Sequence, residues 1–162
     1  MTRSGIGFDA HQLDKGIDLY IGGIKIDSDL GSLGHSDGDA LIHAITDSLL
    51  GAAGMGDIGQ YFPSDDSEWE NAKSEIFLIE VKKILINNGF KISNIDCTVV
   101  LQKPKINPYI ESIRNNISRM LELNKNYVSI KATTTDYLGY IGDSKGWSVI
   151  SIATIIDTNE DC

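Results

Sequence analysis

Positive charge is scarce in this sequence. Its 162 residues hold 14 Lys and Arg against 23 Asp and Glu, a formal net charge of −9. Such a chain repels nucleic acid and anionic membrane surfaces, so neither is expected as a partner. A phosphorylated ligand would have to be attracted locally, by metal ions, backbone N–H groups or a few lysines. Cysteine is scarce too. Cys97, in an apolar run, and Cys162 build no disulfide framework, and this usage suits a reducing cytoplasm. The longest apolar stretch, around Val149 to Ile156, is broken by Ser151 and Thr154. It falls well short of the roughly 20 residues that a spanning helix needs. Met1-Thr2-Arg3-Ser4-Gly5 has no apolar core of a signal peptide. No internal repeat, linker or Gly-Lys-Ser/Thr phosphate loop is present. The length suits a single domain over residues 1–162.

Histidine is nearly as scarce as cysteine, and its placement is informative. His11, His35 and His43 are the only three, all within the first 43 residues and all near aspartates. Imidazole and carboxylate are the common nitrogen and oxygen donors for zinc-type ions. Residues 3–9 read as a strand in which Gly5 and Gly7 mark close approach of a ligand or another backbone. If that strand continues, Asp9 and His11 point to the same side, a spacing that suits two ligands on one ion.

Residues 17–27 read as a hairpin turning at Gly22-Gly23. Ser36 or Asp37 is expected to cap a helix over residues 39–53, ended by Gly54-Met55-Gly56. Its apolar face is Leu41, Ile42, Ile45, Leu49, Ala52 and Ala53. Asp39, His43 and Asp47 are four apart on another face. There Asp39 and Asp47 are expected to be solvated, with Asp47 orienting His43.

Residues 57–70 show no period and read as a loop and candidate lid. A helix over 72–88 follows, then an alternating strand over 91–102 broken by Lys103-Pro104-Lys105. A third helix opens at Asn107-Pro108, with Ile110, Ile113, Ile117, Met120 and Leu121 as its stripe. Strands over 127–135 and 147–156 flank a turn at 139–142, and the last, apolar on both faces, is expected to be central. The pattern is α+β, a sheet with helices on one side.

Six motifs occur in order: Gly7-Phe8-Asp9-Ala10-His11; His35-Ser36-Asp37-Gly38-Asp39 with His43; Gly56-Asp57-Ile58-Gly59 with Phe62-Pro63; Pro104-Lys105; Lys131-Ala132-Thr133-Thr134-Thr135; and Leu138-Gly139. With them the whole chain resembles the 2-C-methyl-D-erythritol 2,4-cyclodiphosphate synthases of the non-mevalonate isoprenoid route. The resemblance implies a homotrimer of ferredoxin-like sandwiches, each a mixed four-stranded sheet with helices on one face plus a small hairpin. Active sites would lie between subunits. The implied reaction converts 4-diphosphocytidyl-2-C-methyl-D-erythritol 2-phosphate to the cyclic diphosphate and releases CMP, so the implied small-molecule partner is cytidine diphosphate-linked.

By the same resemblance, Asp9, His11 and His43 hold one zinc per subunit, and Asp136 holds a magnesium or manganese ion with the substrate diphosphate. His35 and Thr134 are the implied catalytic pair. Asp9, Ala10, His11, His35 and Ser36 would contact substrate. Asp57, Ile58 and Gly59 would hold the methylerythritol, covered by Phe62, Pro63, Ser64, Asp65 and Asp66. Leu101, Gln102, Lys103, Pro104, Lys105, Ile106 and Asn107 would wall the cytosine. Thr133, Thr134, Thr135 and Asp136 would bind the diphosphate, with Tyr140 and Asp143 completing the contacts.

Three positions depart from the family pattern. Asp136 stands where the family usually has Glu, one methylene longer. Tyr140 and Asp143 stand where it often has Phe and Arg around an axial cavity, which argues against an anionic isoprenoid there. Two rival readings follow from the residues. A His/Asp phosphohydrolase typically uses more histidines and a direct His-Asp pair, whereas Ser36 separates His35 from Asp37. A binding trimer without catalysis is motivated by Asp136 and Asp143.

Overall fold

The computed structural model describes residues 1–34, 36–63 and 72–159. Strands β1 (Thr2–Lys15), β4 (Leu30–Leu33), β5 (Phe90–Val100), β6 (Val128–Thr133) and β7 (Gly146–Asp157) form one sheet in the order β4-β1-β7-β5-β6. The β5–β6 pair is parallel and the others antiparallel. β2 (Leu19–Ile21) and β3 (Ile24–Ile26) form the hairpin. Gly22 and Gly23 both have positive φ, as a two-residue turn of the primed type requires.

The sheet thus has five strands, not four. The additional one, β4, is four residues long and contains Gly31 and Ser32, so it shows no alternation that sequence reading could catch. β1 also runs well past residue 9. Its ladder with β7 extends to Gln12–Gly146, and β4 pairs with it from Gln12 to Lys15.

Helices α1 (Ala40–Ala53), α3 (Ser74–Asn87) and α4 (Ile110–Leu121) cover one face, and α2 (Ile58–Tyr61) and α5 (Gly139–Gly142) are single turns. α1 is buried on nearly all sides, with Leu41, Ile42, Ile45, Leu49 and Leu50 fully inaccessible. Burying each such side chain favours folding by about 1.5–3 kcal/mol. Gly5 and Gly7 are the reason α1 lies so low. A Cβ on Gly5 would collide with the backbone of Ser48 and Ala52, and one on Gly7 with the Ala44 carbonyl. The close approach expected at these glycines is therefore of helix backbone.

β5 buries Ile92 and Ile95, three residues apart, because a bulge between Ile92 and Asn94 takes up the extra residue. Pro108 lies in a one-turn 3₁₀ helix, Asn107–Tyr109, that leads into α4. β7 is central as expected, but only one of its faces is covered. On the other, Ile6 opposes Ile152 and Phe8 opposes Ile150, and these four side chains are 41–70% exposed. Among the described residues no helix is long and apolar enough to cross a membrane.

Candidate metal centre and adjoining clefts

Asp9 and His11 project from the helix-facing side of β1, next along from Gly5 and Gly7. The thin glycine half of the strand lets α1 settle, and one turn inside its start α1 presents His43 to the same point. Asp9 Oδ2 lies 2.9 Å from His11 Nε2 and 3.0 Å from His43 Nδ1, and the two nitrogens are 3.3 Å apart. These are the only described residues in which three potential ligand atoms of this kind converge.

The donor set fits a zinc-type ion. With bonds of about 2.0–2.1 Å, neighbouring ligand atoms of a tetrahedral site stand about 3.3 Å apart, close to the separations found, and a fourth position stays open. The outer nitrogens are already engaged. His11 Nδ1–H donates to the Leu33 carbonyl at 3.0 Å, which leaves Nε2 with its lone pair toward Asp9. His43 Nε2 lies 2.8 Å from Ser74 Oγ and 3.2 Å from Ser36 Oγ. Burial opposes ionisation of Asp9, but the two imidazoles that face it, His11 and His43, hold its carboxyl well below the usual range. Burial likewise lowers the His11 pKa, and the bond and charge of Asp9, with the Leu33 carbonyl, raise it above the ordinary value on balance.

The two other aspartates of α1 differ from expectation. Asp39 is not solvated but fully buried, and it caps α1 in place of Ser36 or Asp37. It accepts from the N–H groups of Ile42 (3.1 Å), Gly22 (3.0 Å) and Gly23 (2.7 Å), tying the hairpin to the helix start. As a cap it precedes the first helical turn, so the spacing of four from His43 does not put it on His43's face. Asp47 does not orient His43. Its Oδ1 accepts from Ile58 N–H at 2.7 Å and so fixes the segment Asp57-Ile58-Gly59. Asp57 caps α2 by accepting from Gln60 N–H at 3.1 Å. Phe62 stacks on Phe77, with ring centroids 4.7 Å apart, and Phe77 lies 6.2 Å from the His43 ring. His35, Ser64, Asp65 and Asp66 lie outside the described residues, as does the second half of the candidate lid.

A cleft of about 960 Å³ joins Gln102, Lys103, Pro104 and Lys105 to Thr134, Asp136 and Tyr137. Its other wall is Lys15, Asp27, Ser28, Asp29, Leu30 and Ser144, and sequence reading singled out none of these. The Lys103–Pro104 peptide is cis. Leu101 and Ile106 are core residues rather than cleft lining, and Asn107 is exposed. Thr134 Oγ1 donates to Asp136 Oδ1 at 3.2 Å, and Tyr137 N–H to Gln102 Oε1 at 3.2 Å. Thr135 turns away and donates to the Leu138 carbonyl. None of Asp9, His11 and His43 lines this cleft. A second cleft, of about 560 Å³, brings Tyr140 to Ala10 and His11. Asp143 points out and pairs with Lys145 at 3.1 Å.

Gly142-Asp143-Ser144-Lys145-Gly146 has the Gly-x-Ser-x-Gly spacing of a nucleophile elbow. It runs from a helical turn into a strand, the reverse of the elbow's strand-to-helix context, and gives no nucleophile reading.

Fold and site together define a two-layer α+β protein with a candidate three-ligand metal centre and two open clefts. The YgbB family model matches residues 2–156, and the chain belongs to that family. It is 50% identical over 153 residues to the 2-C-methyl-D-erythritol 2,4-cyclodiphosphate synthase of Clostridium novyi, covering 94% of this chain and 98% of that one. The bifunctional IspDF of Campylobacter jejuni superposes with a TM-score of 0.93 at 36% identity, over 99% of this chain and 44% of that one. Plasmodium falciparum IspF in complex with CDP superposes with a TM-score of 0.85 at 35% identity, over 98% and 97%. The chain thus spans less than half of the bifunctional relatives and nearly all of the single-function ones.

Proposed function

We propose that this chain converts 4-diphosphocytidyl-2-C-methyl-D-erythritol 2-phosphate to 2-C-methyl-D-erythritol 2,4-cyclodiphosphate with release of CMP. It would act as a metal-dependent, cyclising phosphorus–oxygen lyase of cytoplasmic isoprenoid precursor synthesis. The observation that carries the reading is the convergence of Asp9, His11 and His43 on one point in a chain 50% identical to a synthase of that name. The CDP bound by the Plasmodium falciparum relative supports a cytidine diphosphate-linked substrate.

In this reading the substrate's 2-phosphate attacks the β-phosphorus of its own diphosphate, and the bond to CMP breaks. A phosphate oxygen is already ionised at neutral pH, so no strong general base is required. The difficulty is to bring like charges together and align them, and positioning within one molecule supplies much of the rate. Asp9, His11 and His43 hold a zinc-type ion, which neutralises and aligns phosphate charge when bound. His35 and Ser36 contact the substrate. Asp57, Ile58 and Gly59, braced by Asp47, hold the methylerythritol, and residues 62–66 cover it. Residues 101–107 wall the cytosine. Thr133 to Asp136 bind the diphosphate, with Asp136 as ligand to a magnesium or manganese ion and Thr134 and His35 stabilising the transition state.

Two features support a homotrimer of ferredoxin-like sandwiches. Asp9, His11 and His43 are not among the residues that line the larger cleft, as expected where the two halves of a site meet between copies. The open sheet face carries an apolar patch of Ile6, Phe8, Ile150 and Ile152, the kind of surface that subunits cover.

Phosphorus NMR of the protein with the cytidyl substrate, with and without chelator, tests the reaction. Chelator-sensitive appearance of CMP and a cyclic diphosphate is the expected result. CMP with a linear product would make it a hydrolase. No turnover after zinc and manganese are restored would leave only a binding protein.

A further inference from the structure

We infer that Ser74 and Asp37 are positioning residues for the metal centre, setting which nitrogen of His43 faces the ion. The inference rests on the metal reading of Asp9, His11 and His43. Ser74, fully buried at the first position of α3, makes two bonds to one carboxylate: its N–H donates to Asp37 Oδ2 at 3.0 Å and its hydroxyl donates to Asp37 Oδ1. With the hydroxyl proton committed to Asp37, Ser74 Oγ can only accept along the 2.8 Å contact to His43 Nε2. His43 therefore carries its proton on Nε2 and turns the Nδ1 lone pair toward Asp9 and His11. This is the carboxylate–imidazole–metal arrangement with a serine hydroxyl interposed. Ser36 Oγ, at 3.2 Å, is a second and longer acceptor for the same N–H.

An amide at position 37 cannot accept both Ser74 bonds. Asp37→Asn either strands the Ser74 N–H against an amide donor or turns the hydroxyl proton toward His43 Nε2. The second outcome forces the proton onto Nδ1, where it blocks the metal.

The test is Co²⁺ titration of chelator-stripped wild type, Ser74→Ala, Ser74→Thr and Asp37→Asn, followed by visible d–d absorption, with metal-free thermal unfolding in parallel. Ser74→Ala and Asp37→Asn should weaken Co²⁺ binding about 10–100-fold, while Ser74→Thr, which keeps the hydroxyl, stays within about threefold of wild type. Unchanged Co²⁺ affinity in both weakened variants, with wild type binding normally, would overturn the relay alone. Failure of wild type to bind Co²⁺ would overturn the metal reading and the relay with it. If the variants do not fold, nitrogen-15 NMR of the zinc-loaded wild type decides. The proton must sit on His43 Nε2, and its presence on Nδ1 would overturn the inference.

Discussion

The two ends of the proposed active site are built differently. At the metal centre the side chains of Asp9, His11 and His43 are 14–26% exposed, and each imidazole has its outer nitrogen engaged. At the nucleotide cleft, Thr133, Thr134 and Asp136 are exposed and Tyr137 is 70% exposed. Thr134 and Asp136 bond to each other across a short turn. The first end is preorganised within one chain. The second is a set of donors on an exposed loop, facing a wall of Lys15, residues 27–30 and Ser144 across an open cleft. On the proposed reading the difference makes metal affinity and turnover separable, the first set within the chain and the second completed between copies.

The most damaging change to the finished end is His11→Ala. It removes one of three ligand atoms, so turnover should fall by at least about 10²–10³-fold, with Co²⁺ binding lost alongside. Full activity in that variant would refute the metal assignment.

Phe8→Asp attacks the comparison itself. It puts a charge into the open apolar face, beside Ile150 and one residue from Asp9 but on the opposite side of the sheet. Sedimentation should show dissociation to single chains. Turnover should drop about 10²-fold as the two halves lose each other, while Co²⁺ affinity stays near wild type. A dissociated chain with undiminished turnover would show that one copy contains the whole site.

Asp39→Ala tests the scaffold under the metal end. The cap is lost and the Gly22 and Gly23 N–H groups lose their acceptor, at a cost of roughly 2–4 kcal/mol in denaturant unfolding. Asp39 also has a pH signature. Burial pushes its carboxyl up to about 6; the charge of Asp37 adds to this, and the N–H groups of Gly23, Gly22 and Ile42 oppose it. The folded chain therefore binds this proton more tightly than the unfolded chain, whose Asp pKa is about 3.9. The contribution favours folding most below about pH 4, declines as pH rises to about 6 and is flat above. The difference between wild-type and Asp39→Asn stability should carry that slope.

The candidate metal ligands are legible in the sequence because they obey short-range geometry. A period of two puts Asp9 and His11 on one side of a strand, and a helix over 39–53 was readable from its apolar stripe. The resemblance supplied the choice of His43 over His35. What stayed hidden depends on contacts between distant segments. Ser74 lies 31 positions from His43 and looks like any serine at a helix start. β4 pairs without any hydrophobic alternation of its own. A spacing of four from His43 suggests a shared solvated face, but Asp39 is a cap that lies off the helix, and Asp47 is drawn to the Ile58 N–H by a contact that no helical spacing reveals. Lys15 and residues 27–30 escaped notice because only the five-stranded sheet folds them against the 102–105 segment.

The smallest effect is expected at the cleft, from Asp136→Glu. Asp136 has φ of 51°, a left-handed conformation that Asp tolerates better than most residues, and it receives the Thr134 hydroxyl. A glutamate there gains a methylene of reach toward a diphosphate-bound ion and gives up some of that backbone fit. The concentration of magnesium or manganese giving half-maximal turnover should shift by roughly 2–5-fold, with Co²⁺ binding at the other end unchanged. A shift in Co²⁺ affinity would mean that the two ends communicate within a single chain, and their separation would fail at its most exposed point.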